Sequence, residues 1–162
     1  MTAESILQIA SRAEFHHAVQ GALAQAEAAG SREIFMADPN FADWPLNDRD
    51  IVELLGRWVD SRCTFTLLAH SFDELARRQL RFVAWRKQWS HVVHCRSDAE
   101  LGAEQIPTLL LVPGRVALRL LDRVHYRGTL SSRAVDLNEA REAIDALLQR
   151  SAEAFPVTTL GL

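Results

Sequence analysis

Three short apolar runs, at residues 33–37, 63–69 and 91–96, alternate with segments whose apolar residues recur at helical spacing. This alternation constrains the fold more than any other feature of the chain. Two strands separated by a helix pair in parallel when the helix crosses over the sheet, and such crossovers are right-handed. Two successive units of this kind imply an α/β domain with helices covering a sheet whose N-terminal half is parallel.

The helices carry their own start and stop signals. Ser11 with Glu14 forms a capping box, Phe15, Val19, Leu23 and Ala26 follow on one face, and Gly30 supplies the stop. After the turn-like Asp38-Pro39-Asn40 a loop runs to about Arg49. Asn47 is expected to cap a helix with Ile51, Leu54, Leu55, Trp58 and Val59 on its apolar stripe. Ser71 and Glu74 predict a further helix bearing Phe72, Leu75, Phe82 and Val83 and ending near Lys87.

The second half changes character. Runs at 108–112 and 115–121 flank Pro113-Gly114, a pair suited to a type II turn, and so predict an antiparallel hairpin. Another strand is expected across 124–130. Asp136 with Glu139 should then open a last helix carrying Ile144, Leu147, Leu148 and Phe155, ended by Pro156. The expected architecture is therefore a mixed sheet flanked by helices, within one domain spanning 1–162.

The chain's 162 residues suffice for a core that needs neither disulfide nor metal. Cys63 and Cys95 stand alone, without zinc-site spacing, which fits a reducing compartment. Glu4, Glu14 and Glu27 interrupt the N-terminal region, so neither a signal peptide nor a membrane span is expected and the cytoplasm is the expected location. The net charge is −3, which supplies no global basic field, and nucleic acid is accordingly not expected as a partner. Of the 18 basic residues only Lys87 is lysine. Arg77, Arg78, Arg81, Arg86 and Lys87 fall near Trp85 and Trp89, but their spacing spreads them around a helix, and the sequence assigns this segment no role.

No nucleophile elbow, dinucleotide fingerprint or phosphate loop occurs, and no cofactor is expected. Strand alternation separates His94 from His91 and Cys95, while His16 and His17 diverge around a helix, so no metal site is expected.

With its hairpin at Leu109–Leu121, the order of elements resembles one half of a phospholipase D-like protein, from about Ala22 to Phe155. The resemblance implies a His-x-Lys-x-x-x-x-Asp motif along the first hairpin strand. Ile106, Thr108 and Pro113 occupy those three positions here, and no His-x-Lys occurs anywhere in the chain. A nucleophilic histidine and a phosphate-holding cation are both missing, so the motif's chemistry is lost. On strand parity Ile106, Thr108, Leu110 and Val112 should share one largely apolar face. The chain also resembles a group of bacterial domains that keep this fold without the motif, sometimes found beside acetyltransferase domains.

The expected function is a non-catalytic domain for protein association or anionic-ligand binding, with a homodimer as the expected assembly because the enzymes of that fold combine two halves. The competing expectation is a divergent phosphodiesterase or nuclease in which His125 and Arg127, the nearest remnant of the motif, act across the dimer. The tail at 157–162 carries no assigned role.

Overall fold

A hydroxyl and a carboxylate set the first helix in place. In the computed structural model, which describes residues 4–98 and 100–157, an edge strand β1 (Ile6–Ile9) leads into Ser11, whose side chain accepts the Glu14 amide while the Glu14 carboxylate accepts the Ala10 amide. Helix α1 (Arg12–Ala29) then runs to Gly30, which takes φ 61° while the Ser31 amide donates back to the Ala26 carbonyl. This is the left-handed ending that glycine permits without a Cβ clash.

Strand β2 (Glu33–Ala37), helix α2 (Arg49–Trp58), strand β3 (Thr64–Ala69), helices α3 (Asp73–Arg78) and α4 (Leu80–Gln88) and strand β4 (Val93–Ser97) follow. β2, β3 and β4 are parallel neighbours. The hairpin is β5 (Thr108–Val112) and β6 (Val116–Asp122), joined through Gly114 at φ 74°. β7 (Arg127–Ser131), helix α5 (Ala134–Arg150) and a two-residue strand β8 (Ala152–Glu153) complete the order. Among the described residues the strands form one mixed sheet in the order β1-β7-β6-β5-β2-β3-β4-β8, with β5 antiparallel to β2 at the join of its two halves.

Period-two alternation divides the core between the faces of the sheet. Ile34, Met36, Phe65, Leu67, Leu110 and Leu118 point towards α1, α2 and α4, whereas Phe35, Leu68, Leu109 and Leu111 meet Ile144 and Leu147 of α5. Each fully buried Leu, Ile or Phe contributes roughly 1.5–3 kcal/mol of transfer free energy, so the thicker helical layer carries most of the hydrophobic stabilisation. No helix among the described residues is long and apolar enough to cross a membrane. Both cysteines are free and buried; burial pushes the Cys95 thiol up to about 11 against the opposing charge of Arg86.

Several boundaries depart from the sequence expectations, each for a local reason. Asp48, not Asn47, caps α2 by accepting the Asp50 amide; the Asn47 side chain accepts the Arg81 amide at the start of α4 instead. The expected single helix through 71–87 breaks at Gln79, whose buried amide group donates to the carbonyls of Phe41 (3.0 Å) and Trp44 (2.7 Å). α5 starts after Arg133, with Asp136 accepting from the Ser131 hydroxyl, and ends at Arg150. The chain then extends as β8, so Phe155 lies beyond the helix, stacked on Phe72 and beneath the Arg86 guanidinium. Strands β1 and β8 carry no sequence signal, because the edge positions of β1 are exposed and β8 is only two residues long. Of the 157–162 tail, 158–162 lie outside the described residues.

One close approach fixes the register of β6 against β7. A Cβ added to Gly128 would overlap the Arg119 carbonyl oxygen and stand 2.8 Å from the Leu120 Cα, beside the irregularity between Leu120 and Asp122. Both atoms belong to paired backbone, so neither yields easily. Gly128→Ala is therefore expected to destabilise the protein by about 1–3 kcal/mol or more, measured as a lower midpoint in urea unfolding with an unchanged slope.

Candidate functional site

The parallel strands all end on one edge of the sheet, and the antiparallel partners begin or end there too. Asp38 follows β2, Thr108 opens β5, Asp122 closes β6, Arg127 opens β7 and Arg12 opens α1 just after β1. The parallel strands β2, β3 and β4 present their carboxyl ends here, and the crevice outside the carboxyl ends of parallel strands is the usual ligand position in open α/β sheets.

A cleft of about 260 Å³ lies at this point. Asp38, Asn40, Asp43, Trp44, Arg123 and Tyr126 form its walls above Phe15, Thr108 and Leu120. Its centre is the Asp38 carboxylate, 7% exposed. The Thr108 hydroxyl donates to Oδ1 at 2.5 Å, and the amides of Asn40 and Phe41 donate to Oδ2 at 3.1 and 2.8 Å. These bonds turn the chain sharply after β2 and hold Phe41 at φ 59°. The wall is then tied down from outside by the Gln79 amide group.

Opposite, the Arg123 guanidinium donates to the Ile106 carbonyl at 2.7 Å and forms no ion pair with a carboxylate among the described residues. Tyr126 sits at φ 54°, its ring 6.0 Å from that of Phe15. Burial pushes its hydroxyl above the usual tyrosine value, reinforced by the neighbouring Asp43 carboxylate and opposed by the Arg12 guanidinium. His16 Nε2 donates to the Asp43 carbonyl at 2.6 Å and steadies that residue's backbone. A non-glycine residue in the left-handed region persists only where its surroundings over-determine it; at Tyr126 the surroundings are the Asp122 turn and the tyrosine's own contacts in the cleft.

The three motif positions do not converge. Thr108 is 1% exposed in the cleft floor, Pro113 lies in the hairpin turn at the far end of β5, and Ile106 is buried with Leu109 and Leu111 against α5. Ile106 therefore does not share a face with Leu110 and Val112 as parity suggested, because Pro107 precedes the strand and the alternation starts only at Thr108.

His125 and Arg127 are placed at the same edge, outside the cleft lining. His125 Nδ1 donates to Asp122 Oδ2 at 2.8 Å with the imidazole largely exposed, and Arg127 is exposed at the start of β7. The Asp122 carboxyl is held below its usual range, first by the His125 side chain and then by the amides of His125 and Val124. The arginine-rich segment does not act as one surface: Arg77 and Arg78 pair with Glu74, Arg81 donates to the Asn47 carbonyl, and Arg86 is buried. His94 is exposed between the buried Val93 and Cys95, and His91 packs against Trp89. Asp38, Arg123 and Tyr126 were not singled out by the sequence. Asp38 looked like ordinary turn chemistry, and nothing in the local pattern shows that residues 38, 108 and 123 meet.

No protein-family model matches the chain, and no curated protein matches it. Solved structures do. Nuc from Salmonella typhimurium, a phospholipase D family member, superposes with a TM-score of 0.60 at 10% identity, over 96% of this chain and 100% of that one. The fold is phospholipase D-like. NucT from Helicobacter pylori gives a TM-score of 0.59 at 10% identity, over 94% of this chain and 100% of that one. TrmBL2, an archaeal chromatin protein with a novel mode of DNA binding, gives 0.60 at 13% identity, over 95% of this chain but only 55% of its own length. This chain thus spans about half of that protein. The expectation that nucleic acid is no partner does not stand, since a DNA-binding chromatin protein is built on this architecture. Net charge sums over the whole surface, whereas phosphate binding follows the local potential.

Two measurements check the site's electrostatics. Thr108→Val removes a donor from a buried carboxylate at nearly constant shape; a loss of about 1–3 kcal/mol is expected, read as a melting temperature lower by several degrees. The Asp122 turn should show acid dependence of a defined sign. A depressed carboxyl stabilises the fold above its unfolded value near pH 4, and that contribution disappears as pH falls through the lower folded value. The melting-temperature gap between the protein and Asp122→Asn is therefore expected to be present at about pH 5 and to close below about pH 4.

Proposed function

We propose that this chain is a non-cleaving domain that binds nucleic acid along the strand-end edge of a phospholipase D-like sheet. The observation that carries this reading is Thr108: at the position where the resemblance implies a phosphate-holding lysine, a buried hydroxyl donates to Asp38 while the cleft above it remains open. The site keeps its concavity and lacks the nucleophile and cation of the motif. Around it, Arg12 and Arg127 stand at one edge and form no ion pair with a carboxylate among the described residues. Their charge is available to a phosphate backbone, which supplies most of the affinity in sequence-independent binding. A DNA-binding chromatin protein among the structural neighbours supports the choice of nucleic acid over a protein partner.

A hydrolytic reading has one observation in its favour. Asp122 orients His125 through Nδ1 and leaves Nε2 towards solvent, an arrangement suited to a nucleophile or base. Against it, His125 does not line the cleft and no lysine stands beside it.

Electrophoretic mobility shift and cleavage assays on the same purified protein separate the two readings. The expected result is salt-sensitive binding without strand scission. Replacing Arg12 and Arg127 by glutamine should lower the slope of log affinity against log salt by roughly 1.4–1.8, at about 0.7–0.9 for each phosphate no longer neutralised. Scission that disappears in His125→Ala would support the hydrolytic reading; absence of binding to any nucleic acid at low salt would reject the proposal.

A further inference from the structure

The charge inside the cleft has the wrong sign for a phosphate. Asp38 and Asp43 bring two carboxylates to its walls, while Arg123 brings one guanidinium whose Nη1 is already directed at the Ile106 carbonyl. A phosphate lodged there would face like charge at close range in a partly desolvated space. The phosphates of a bound strand belong outside, on the arginines of the edge.

The polar groups still available in the cleft suit a different partner. Asn40 uses Oδ1 to accept the Ala42 amide, and its amino group has no hydrogen-bond partner among the described residues. Asp43, exposed at the rim of the same cleft as Tyr126, offers carboxylate oxygens that only accept. A donor and an acceptor thus flank a half-buried phenol ring. The volume, about 260 Å³, falls just below the roughly 300–1,000 Å³ of pockets for drug-sized ligands. It suits one planar, uncharged ring system with donors and acceptors on its edge.

We propose that the cleft receives a single unstacked base of a single-stranded nucleic acid, its ring against Tyr126 and its edge met by Asn40 and Asp43. This rests on the nucleic-acid function proposed above and names the part of the ligand that enters the site. The base cannot reach such a cleft from within an intact duplex without being extruded, which favours single strands. Asp43 only accepts hydrogen bonds, so a base presenting an exocyclic amino group, such as cytosine, is preferred over thymine. Aromatic stacking contributes affinity with little dependence on sequence, and the carboxylate adds the preference.

Fluorescence anisotropy of the full chain with labelled oligocytidylate, oligothymidylate and a mixed-sequence duplex tests this. Oligocytidylate is expected to bind more tightly than either competitor. Tyr126→Leu should weaken oligocytidylate binding by roughly five- to a hundredfold, the range for loss of one stacked base, and narrow the gap between single strand and duplex. Asp43→Asn, a change at an exposed side chain, should erase the preference for cytosine over thymine while single strands still bind. Circular dichroism melting of both variants separates impaired binding from impaired folding. Equal affinity for single strands and duplex, unaltered by Tyr126→Leu in a folded variant, would overturn the base site and leave the nucleic-acid function standing. No binding of any of the three probes by the unmodified protein would overturn both.

Discussion

The Asp38 carboxylate is the point on which the strand-end architecture depends. It closes β2, accepts two amides of the following turn and takes the Thr108 hydroxyl from the first residue of β5. Because β5 runs antiparallel to β2, this one group fastens the parallel half of the sheet to the antiparallel half. A carboxylate this buried is tolerable only with its oxygens satisfied. The turn that satisfies them is also the wall of the cleft. Cleft wall and structural joint are therefore the same few atoms.

The wall is held from both sides. Gln79 interrupts what would otherwise be one helix and directs its amide donors at carbonyls of the loop after Asp38, so the break between α3 and α4 has a structural cause at the site. Arg123 acts in the same way across the cleft by capping the carbonyl of Ile106. Each contact joins residues far apart in the chain and ties a backbone carbonyl of the cleft region to another element. The result is a cleft whose walls are set before any ligand arrives, which lowers the ordering entropy lost on binding.

The positions to which the resemblance assigns a catalytic motif are filled here and not vacant. Isoleucine at position 106 has joined the core beneath α5, and threonine at 108 has become a donor to a buried acid. The positive charge that a phosphodiester would need lies further out, on Arg12 and Arg127. A net charge of −3 conceals these arginines, because net charge sums over the whole surface.

The sequence by itself determined the α/β class, the parallel order of β2, β3 and β4, the hairpin around Gly114, both ends of α1 and the loss of the motif. Each depends on local chemistry: hydrophobic period, caps, turn residues and the presence or absence of particular side chains within a few positions. Only the tertiary structure decided where the site is. Asp38, Thr108, Arg123 and Tyr126 meet because β5 and β6 fold back beside β2, and no periodicity records that pairing. The break at Gln79 and the short strand after α5 were hidden for the same reason. Their cause is a partner distant in sequence, a carbonyl near residue 41 or an open edge on β4, and propensity cannot anticipate a hydrogen bond that exists only once the sheet has closed.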